Sequence, residues 1–153
     1  MPNQSTRLHD PTQPYRNLCA DLVQMRSLEQ GIAHCTALLK ACFAPCFCQF
    51  VRLTSQGARP LAPSVATPQS YPAADELELL KQGELVIRAH ETSVSVVFAP
   101  LLTRKALLGW IILEGPDWNT TSATLLSYIA TQVGPALAVC SERRVGSMQQ
   151  SPR

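Results

Sequence analysis

The stretch SVSVVFAPLLTRKALLGWIILEG, residues 93–115, followed by the loop PDWNTTS (116–122) and the run ATLLSYIATQVGPALAVCSERR (123–144), decides how the chain is read. Val94, Val96 and Phe98 alternate with Ser93, Ser95 and Val97, the period of two that marks a strand with one buried face, and Pro100 closes the alternation. After the polar turn Thr103 to Lys105, the run Leu107 to Leu113 is apolar on both faces, as a strand covered on both sides requires. Gly115 and Pro116 end it. From Asn119 the period changes to that of a helix. Leu125, Leu126, Ile129, Val133 and Leu137 share one side, Asn119 is the N-cap, and the helix is expected over Thr121 to Arg144 with a kink at Pro135. A hairpin followed by an amphipathic helix is therefore the spine.

Upstream of this spine, residues 1–14 are polar and contain three prolines, so they are expected to be disordered, as is the tail 145–153. Leu18, Leu22 and Met25 follow Tyr15 at helical spacing, and Ser27 with Gln30 three residues on has the form of a capping box that starts a second helix. Leu28, Ile32, Cys35, Leu39 and Cys42 make one apolar stripe that Pro45 terminates. The run Cys46 to Leu53 reads as the first strand, with Phe47, Val51 and Leu53 on one face and Cys46, Cys48 and Phe50 on the other, and Ser55-Gln56-Gly57 as its turn. A second strand near Arg59 to Val65 holds Pro60 and Pro63, which cannot donate to a ladder, so it must be short, bulged or on an edge. Ala66 to Pro72 is loop. Pro72, Asp75 and Glu76 open a short helix carrying Leu77, Leu79 and Leu80, Gly83 closes it, and Leu85 to Ala89 gives a third strand.

Composition narrows the function classes. A chain of 153 residues, 46% of them hydrophobic, has apolar material for a single core and the size of one domain. Its net charge of +2 comes from scattered lysines and arginines, so no basic stripe points to nucleic acid. No run approaches the length of a transmembrane helix in this reading, and no signal peptide opens the chain, so a cytoplasmic protein without a membrane partner is expected. The six cysteines are read as free thiols. His9, His34 and His90 are too far apart to suggest a triad, and no nucleophile elbow is visible, so enzymatic chemistry has no home in the sequence.

The pieces Pro100-Leu101, Leu108-Gly109-Trp110-Ile111-Ile112, Trp118, Asn119 and the helix through Gln132 to Ala138 together resemble the second half of a GAF domain. Leu79-Leu80-Lys81-Gln82-Gly83-Glu84-Leu85-Val86-Ile87 looks like that family's short helix, glycine and third strand. The resemblance covers Tyr15 to Arg144, which makes 15–144 the domain. It implies an α+β, PAS/profilin-like fold: a central antiparallel sheet of five or six strands, with the two N-terminal helices and the last helix on one face and the short helix from Asp75 on the other.

A pocket, in such a fold, is expected between the sheet and the segment Leu61 to Gln82. Alternation offers Phe50, Val96, Phe98 and Trp110 as its lining, and His90 is the histidine nearest it. The resemblance also implies what is missing. The segment Thr54 to Glu91 contains no cysteine, unlike the members of the family that reduce free methionine sulfoxide; no cysteine is placed for bilin attachment, and the cyclic-nucleotide signature is absent. Some relatives bind haem through a histidine near the position of His90, for which a solvated loop histidine is the alternative; no cofactor is assigned. Cys42, Cys46 and Cys48 form the densest set of soft ligands, but Cys42 lies on an apolar stripe and Cys48 shares a face with Phe50, so core packing is the plainer reading. Trp110 and Trp118 are read as structural, Trp118 as the plug of the loop before the last helix.

Three readings of function follow. The leading one is a regulatory sensor that binds a small molecule or partner and relays the change through its terminal helices to a kinase, cyclase or other regulator. The second is a ligand-free dimerisation or scaffold module, and the third a cysteine-based redox or metal-binding protein. The last helix is apolar over more of its girth than one sheet face needs, so a homodimer through the N- and C-terminal helices is expected.

Overall fold

The apolar run at residues 107–114 becomes the middle of a sheet. The computed structural model describes residues 12–25, 27–61, 70–90, 93–104, 106–119 and 121–150, with the side chains of residues 90, 93 and 141–150 outside the description. The strands are β1 (Phe47–Thr54), β2 (Gly57–Pro60), β3 (Val86–His90), β4 (Ser93–Leu102) and β5 (Leu107–Glu114). They form one five-stranded sheet in the order β2-β1-β5-β4-β3, and every neighbouring pair is antiparallel. The helices are α1 (Leu18–Val23), α2 (Leu28–Phe43), α3 (Ala74–Lys81) and α4 (Ser122–Gln150), with a single 3-10 turn at Gln13–Tyr15 before α1.

Both faces of the sheet are covered, and the two coverings differ. On one face Phe50, Val97, Ala99, Leu101, Ile111 and Leu113 pack against Leu18 and Leu22 of α1, Ile32, Cys35, Leu39 and Phe43 of α2, and Leu126, Ile129 and Val133 of α4. On the other, Val51, Val86, Phe98, Trp110 and Ile112 pack against Leu80 and Leu77 of α3. This is the expected α+β layering, with terminal helices on one side and the short helix on the other.

Local chemistry sets the helix ends. The Ser27 hydroxyl accepts the Gln30 N–H at 3.1 Å to cap α2. Ala44 closes α2 in the left-handed conformation, its N–H on Lys40 O, immediately before Pro45. At the start of α4, Asn119 Oδ1 accepts the Thr121 N–H at 2.9 Å while Ser122 Oγ accepts the Asn119 N–H at 2.8 Å, a reciprocal cap. Asp117 N–H donates to Phe43 O at 2.7 Å and the Trp118 ring lies 6.0 Å from that of Phe43, so the loop before α4 is plugged onto the end of α2.

Four details depart from the sequence reading. Strand β4 does not stop at Pro100 but runs to Leu102, with Pro100 opposite Trp110; β3 pairs with β4 only as far as Phe98, so the flank at Pro100 has no ladder to break. Val94 does not share a face with Val96 and Phe98: the register shifts between Arg88 and Ala89, an irregularity that turns Val94 toward the terminal helices. Helix α4 continues to Gln150, into the stretch expected to be tail, since no proline follows Pro135 before Pro152. Finally, the segment Ser122–Cys140 is, by length and composition alone, apolar enough to cross a membrane, contrary to the reading that no run approached that length. Leu126, Ile129, Ala130, Val133, Ala136 and Leu137 within it are buried in the core, which accounts for the apolarity without a bilayer. The second strand ends at Pro60 on the sheet edge; residues 62–65 of its expected span, like 1–11, lie outside the described residues.

Gly109 marks the tightest point. A Cβ there would stand 2.9 Å from Arg52 Cα and Val51 C and nearer still to Val51 O, all backbone atoms of the paired strand. Gly109→Ala is therefore expected to part β1 from β5 and to cost about 3 kcal/mol or more; a urea midpoint unchanged from wild type would contradict the geometry.

Candidate functional site

Register and alternation lay out the face beneath α3 in rows. Arg88, Val96, Glu114 and Phe47 are cross-strand partners in one row; Val86, Phe98, Ile112 and Gln49 form the next; Pro100, Trp110, Val51 and Pro60 the third. The middle row is closed, with Phe98 and Ile112 at 0% exposure and Gln49 at 1%. The first row is half-buried along its length.

Helix α3 is tied to this face by a polar clamp. The Arg88 guanidinium donates through Nε to Glu76 Oε2 at 3.0 Å and through Nη2 to both Glu76 Oε1 and the Tyr71 carbonyl, the latter at 2.8 Å, and it stands 5.0 Å from the centre of the Phe98 ring. Glu76 also accepts the Ala73 N–H at 2.9 Å, so one carboxylate caps α3 and pairs the strand. The hydrogen bond from Arg88 in the first place, and that from Ala73 N–H in the second, hold the Glu76 carboxyl below its ordinary range.

The indole Nε1 of Trp110 and the carboxylate Oε2 of Glu114 are buried on this face and meet no hydrogen-bonding partner among the described residues. Both belong to β5, on the side turned to α3. In folded proteins such groups are paired with few exceptions, and an exception marks a place where water, an ion or a ligand belongs.

Of the side chains expected to line a pocket, Val96, Phe98 and Trp110 lie on this face. Phe50 lies on the opposite one, 1% exposed among the terminal helices, because alternation along β1 groups it with Cys48 and against Phe47, Val51 and Leu53. His90 ends β3, and its side chain is outside the described residues. Glu114, Gln49, Arg88 and Glu76 were not singled out from sequence. Gln49 and Glu114 carried a signal: each is a polar residue at a position where the period of its strand calls for an inward apolar one.

An open cleft of about 540 Å³ lies elsewhere, between the end of α3 and the β4–β5 turn, with Leu53, Leu102 and Leu107 as walls and Lys81 and Arg104 at its rim. Two of the cysteines, Cys35 and Cys48, are buried. Burial pushes the thiols of Cys35 and Cys48 up to about 12, with the neighbouring Cys48 adding to the effect on Cys35, so both stay protonated at neutral pH and are poor nucleophiles. The Tyr15 hydroxyl lies 3.1 Å from Cys42 Sγ, and that hydrogen bond, then burial, pushes the phenol up to about 12. Among the described residues no group of His, Cys, Asp and Glu is arranged to hold a metal ion.

No protein-family model and no curated protein matches the chain by sequence. Solved structures do match it by shape. The GAF domain of an Acinetobacter phosphoenolpyruvate-protein phosphotransferase superposes with a TM-score of 0.61 at 11% identity, covering 99% of each chain. That of the potassium sensor histidine kinase KdpD from Escherichia coli gives 0.55 at 18% identity, covering 85% of this chain and 94% of its own. The free methionine-R-sulfoxide reductase of Neisseria meningitidis, in complex with its substrate, gives 0.60 at 12% identity, covering 94% of this chain and 96% of its own. The chain has the GAF fold. At these identities the likeness is one of fold, so the chemistry of this chain rests on its own residues.

The clamp makes acid stability a test. A carboxyl held below its ordinary range contributes stability that is present above that range and is lost as pH falls through the depressed value. With the two side chains 36% and 20% exposed, solvent screening limits the pair. Arg88→Ala is expected to lower stability at neutral pH by about 1–2 kcal/mol. Glu76→Gln should do so by less, and its difference from wild type should vanish in acid; a difference that persists there would show that the pair is not its source.

Proposed function

We propose that this GAF domain is a regulatory module that binds a small molecule on the α3 face of its sheet and passes the change to a signalling partner through its terminal helices. The observation that carries this reading is the pair of buried, unpartnered polar atoms, Trp110 Nε1 and Glu114 Oε2, on that face. Buried polar groups are paired with few exceptions, so these two atoms favour a polar partner on this face. The GAF domain of a sensor kinase among the structural neighbours supports the signalling context by fold. Val96, Phe98 and Trp110 would line the site, with Glu114 as its polar contact.

Relay would run through α1 and α4. Leu18 and Leu22 of α1 are buried, Cys19 N–H donates to Gln132 Oε1 at 3.1 Å and Cys140 Sγ lies 3.9 Å from Leu22 O, so α1 covers part of α4 within the chain. A second copy would cover the outward arc of α4, where Val139 is 37% exposed. The ligand-free dimerisation module is the second reading, favoured by the closed packing of Val51, Leu80, Phe98 and Ile112, each at 0% exposure.

Native mass spectrometry of the full chain purified from a lysate separates the two. A retained small molecule, lost in Glu114→Gln, is the outcome expected of the sensor; bare protein in every preparation favours the scaffold. Analytical ultracentrifugation should find a dimer that weakens when residues before Ser27 are removed. Monomers of both forms at tens of micromolar would end the homodimer and leave relay to a different partner.

A further inference from the structure

Resting on the sensor reading above, we propose that the α3-face site takes a small organic cation, an ammonium or amidinium group on a short apolar body, seated on Glu114. The row Arg88–Val96–Glu114–Phe47 is half-buried while the row behind it is closed, so this is the line along which a small molecule reaches the sheet from solvent. In that row one carboxylate oxygen is buried without a donor. A carboxylate so placed calls for positive charge or N–H groups.

Among the described residues no donor to that oxygen is found. Arg88, the cation of the row, is committed to Glu76, to the Tyr71 carbonyl and to the Phe98 ring, and lies two strands from Glu114, about 10 Å at ordinary strand spacing. What flanks Glu114 is Phe47 on β1 and Val96 on β4. An anionic oxygen between an aromatic ring and a branched aliphatic side chain is a donor set for an alkylated cation, whose charge meets the carboxylate and whose ring-facing side gains from the aromatic quadrupole. An anionic ligand would add negative charge beside Glu114 with Arg88 already occupied. For a bare metal ion, the described residues offer no group of three ligands. The Trp110 N–H is four residues along β5, about 13 Å, so it serves only the far end of a longer ligand that carries an acceptor.

The probes are n-butylammonium, butyrate and n-butanol, titrated into the full chain and followed by calorimetry and melting temperature. Butylammonium should bind saturably in about the millimolar range, as so few atoms allow, and butyrate and butanol should not. Glu114→Gln removes an uncompensated carboxylate, so the unliganded melting temperature should hold or rise while butylammonium binding weakens at least about tenfold. Phe47→Leu should weaken it several-fold, and keeps the test open if the glutamine variant folds poorly. Equal binding to wild type and Glu114→Gln, equal binding of butyrate, or no saturable response to butylammonium would each overturn the proposal. A neutral or anionic molecule retained in native mass spectrometry would overturn the cation alone and leave the sensor reading standing; bare protein together with silence from all three probes would remove both.

Discussion

Strand β5 is buried on both faces, and the rest of the domain is arranged to make that possible. From Gly109 to Leu113 no residue reaches even a tenth exposure, so neither face can be left to water. Antiparallel neighbours on both flanks satisfy its backbone, β1 on one side and β4 on the other. Two layers must then cover its side chains. The terminal helices do this for Ile111 and Leu113, and α3 does it for Trp110 and Ile112. Gly109 belongs to the same constraint, because Val51 comes too close for any side chain at that point.

The two coverings are held by different forces, and this sets which one can move. The layer of α1, α2 and α4 is a continuous apolar core; burying a side chain such as Leu126 or Ile129 contributes about 1.5–3 kcal/mol each. Helix α3 has only Leu80 fully buried and owes much of its hold to the Arg88–Glu76 pair, which is half-exposed and screened. Elements with few buried apolar contacts and solvent-exposed polar ties open at lower free energy than the core. A site beneath α3 thus sits under the part of the domain that is cheapest to displace.

The legibility of the chain follows the same division. Where one force dominates, the sequence speaks plainly: the helical stripe from Ile32 to Leu39, the Ser27 cap, the Asn119 cap and the doubly apolar run of β5 all appear as read. The misreadings fall where backbone detail overrides side-chain pattern. The shift of register beside Ala89 moves Val94 to the other face, and an unpaired flank lets a strand pass through Pro100. Phe50, which alternation offers beside Val96, Phe98 and Trp110, lies on the other face, because alternation within one strand does not say which of its faces meets which face of the next until the register is known. The site itself was half legible. Aromatic residues announce themselves, whereas Glu114 and Gln49 show only as polar residues out of step with the period of their strands, a signal that the register turns into a place on the α3 face.

A path from that face to the output helix can be traced through contacts too close to be compliant. Helix α4 lies on the end of β4 at Gly134, where a Cβ would stand 2.6 Å from Leu102 O and 2.9 Å from Leu102 N. Gly134 is followed by Pro135, whose missing N–H leaves the helix less stiff there than elsewhere. Leu102 is in turn four residues along β4 from Phe98, the ring on which Arg88 rests, and Gly83 at the end of α3 is within reach of the Leu102 side chain. In the relay proposed above, a shift of α3 would reach Leu102 both along β4 and directly through Gly83. Packed interiors answer such pushes by moving whole elements, since they are close to incompressible. The stretch of α4 packed on Leu102 is also the stretch that lacks a backbone donor at Pro135, so in the relay proposed above α4 would bend there.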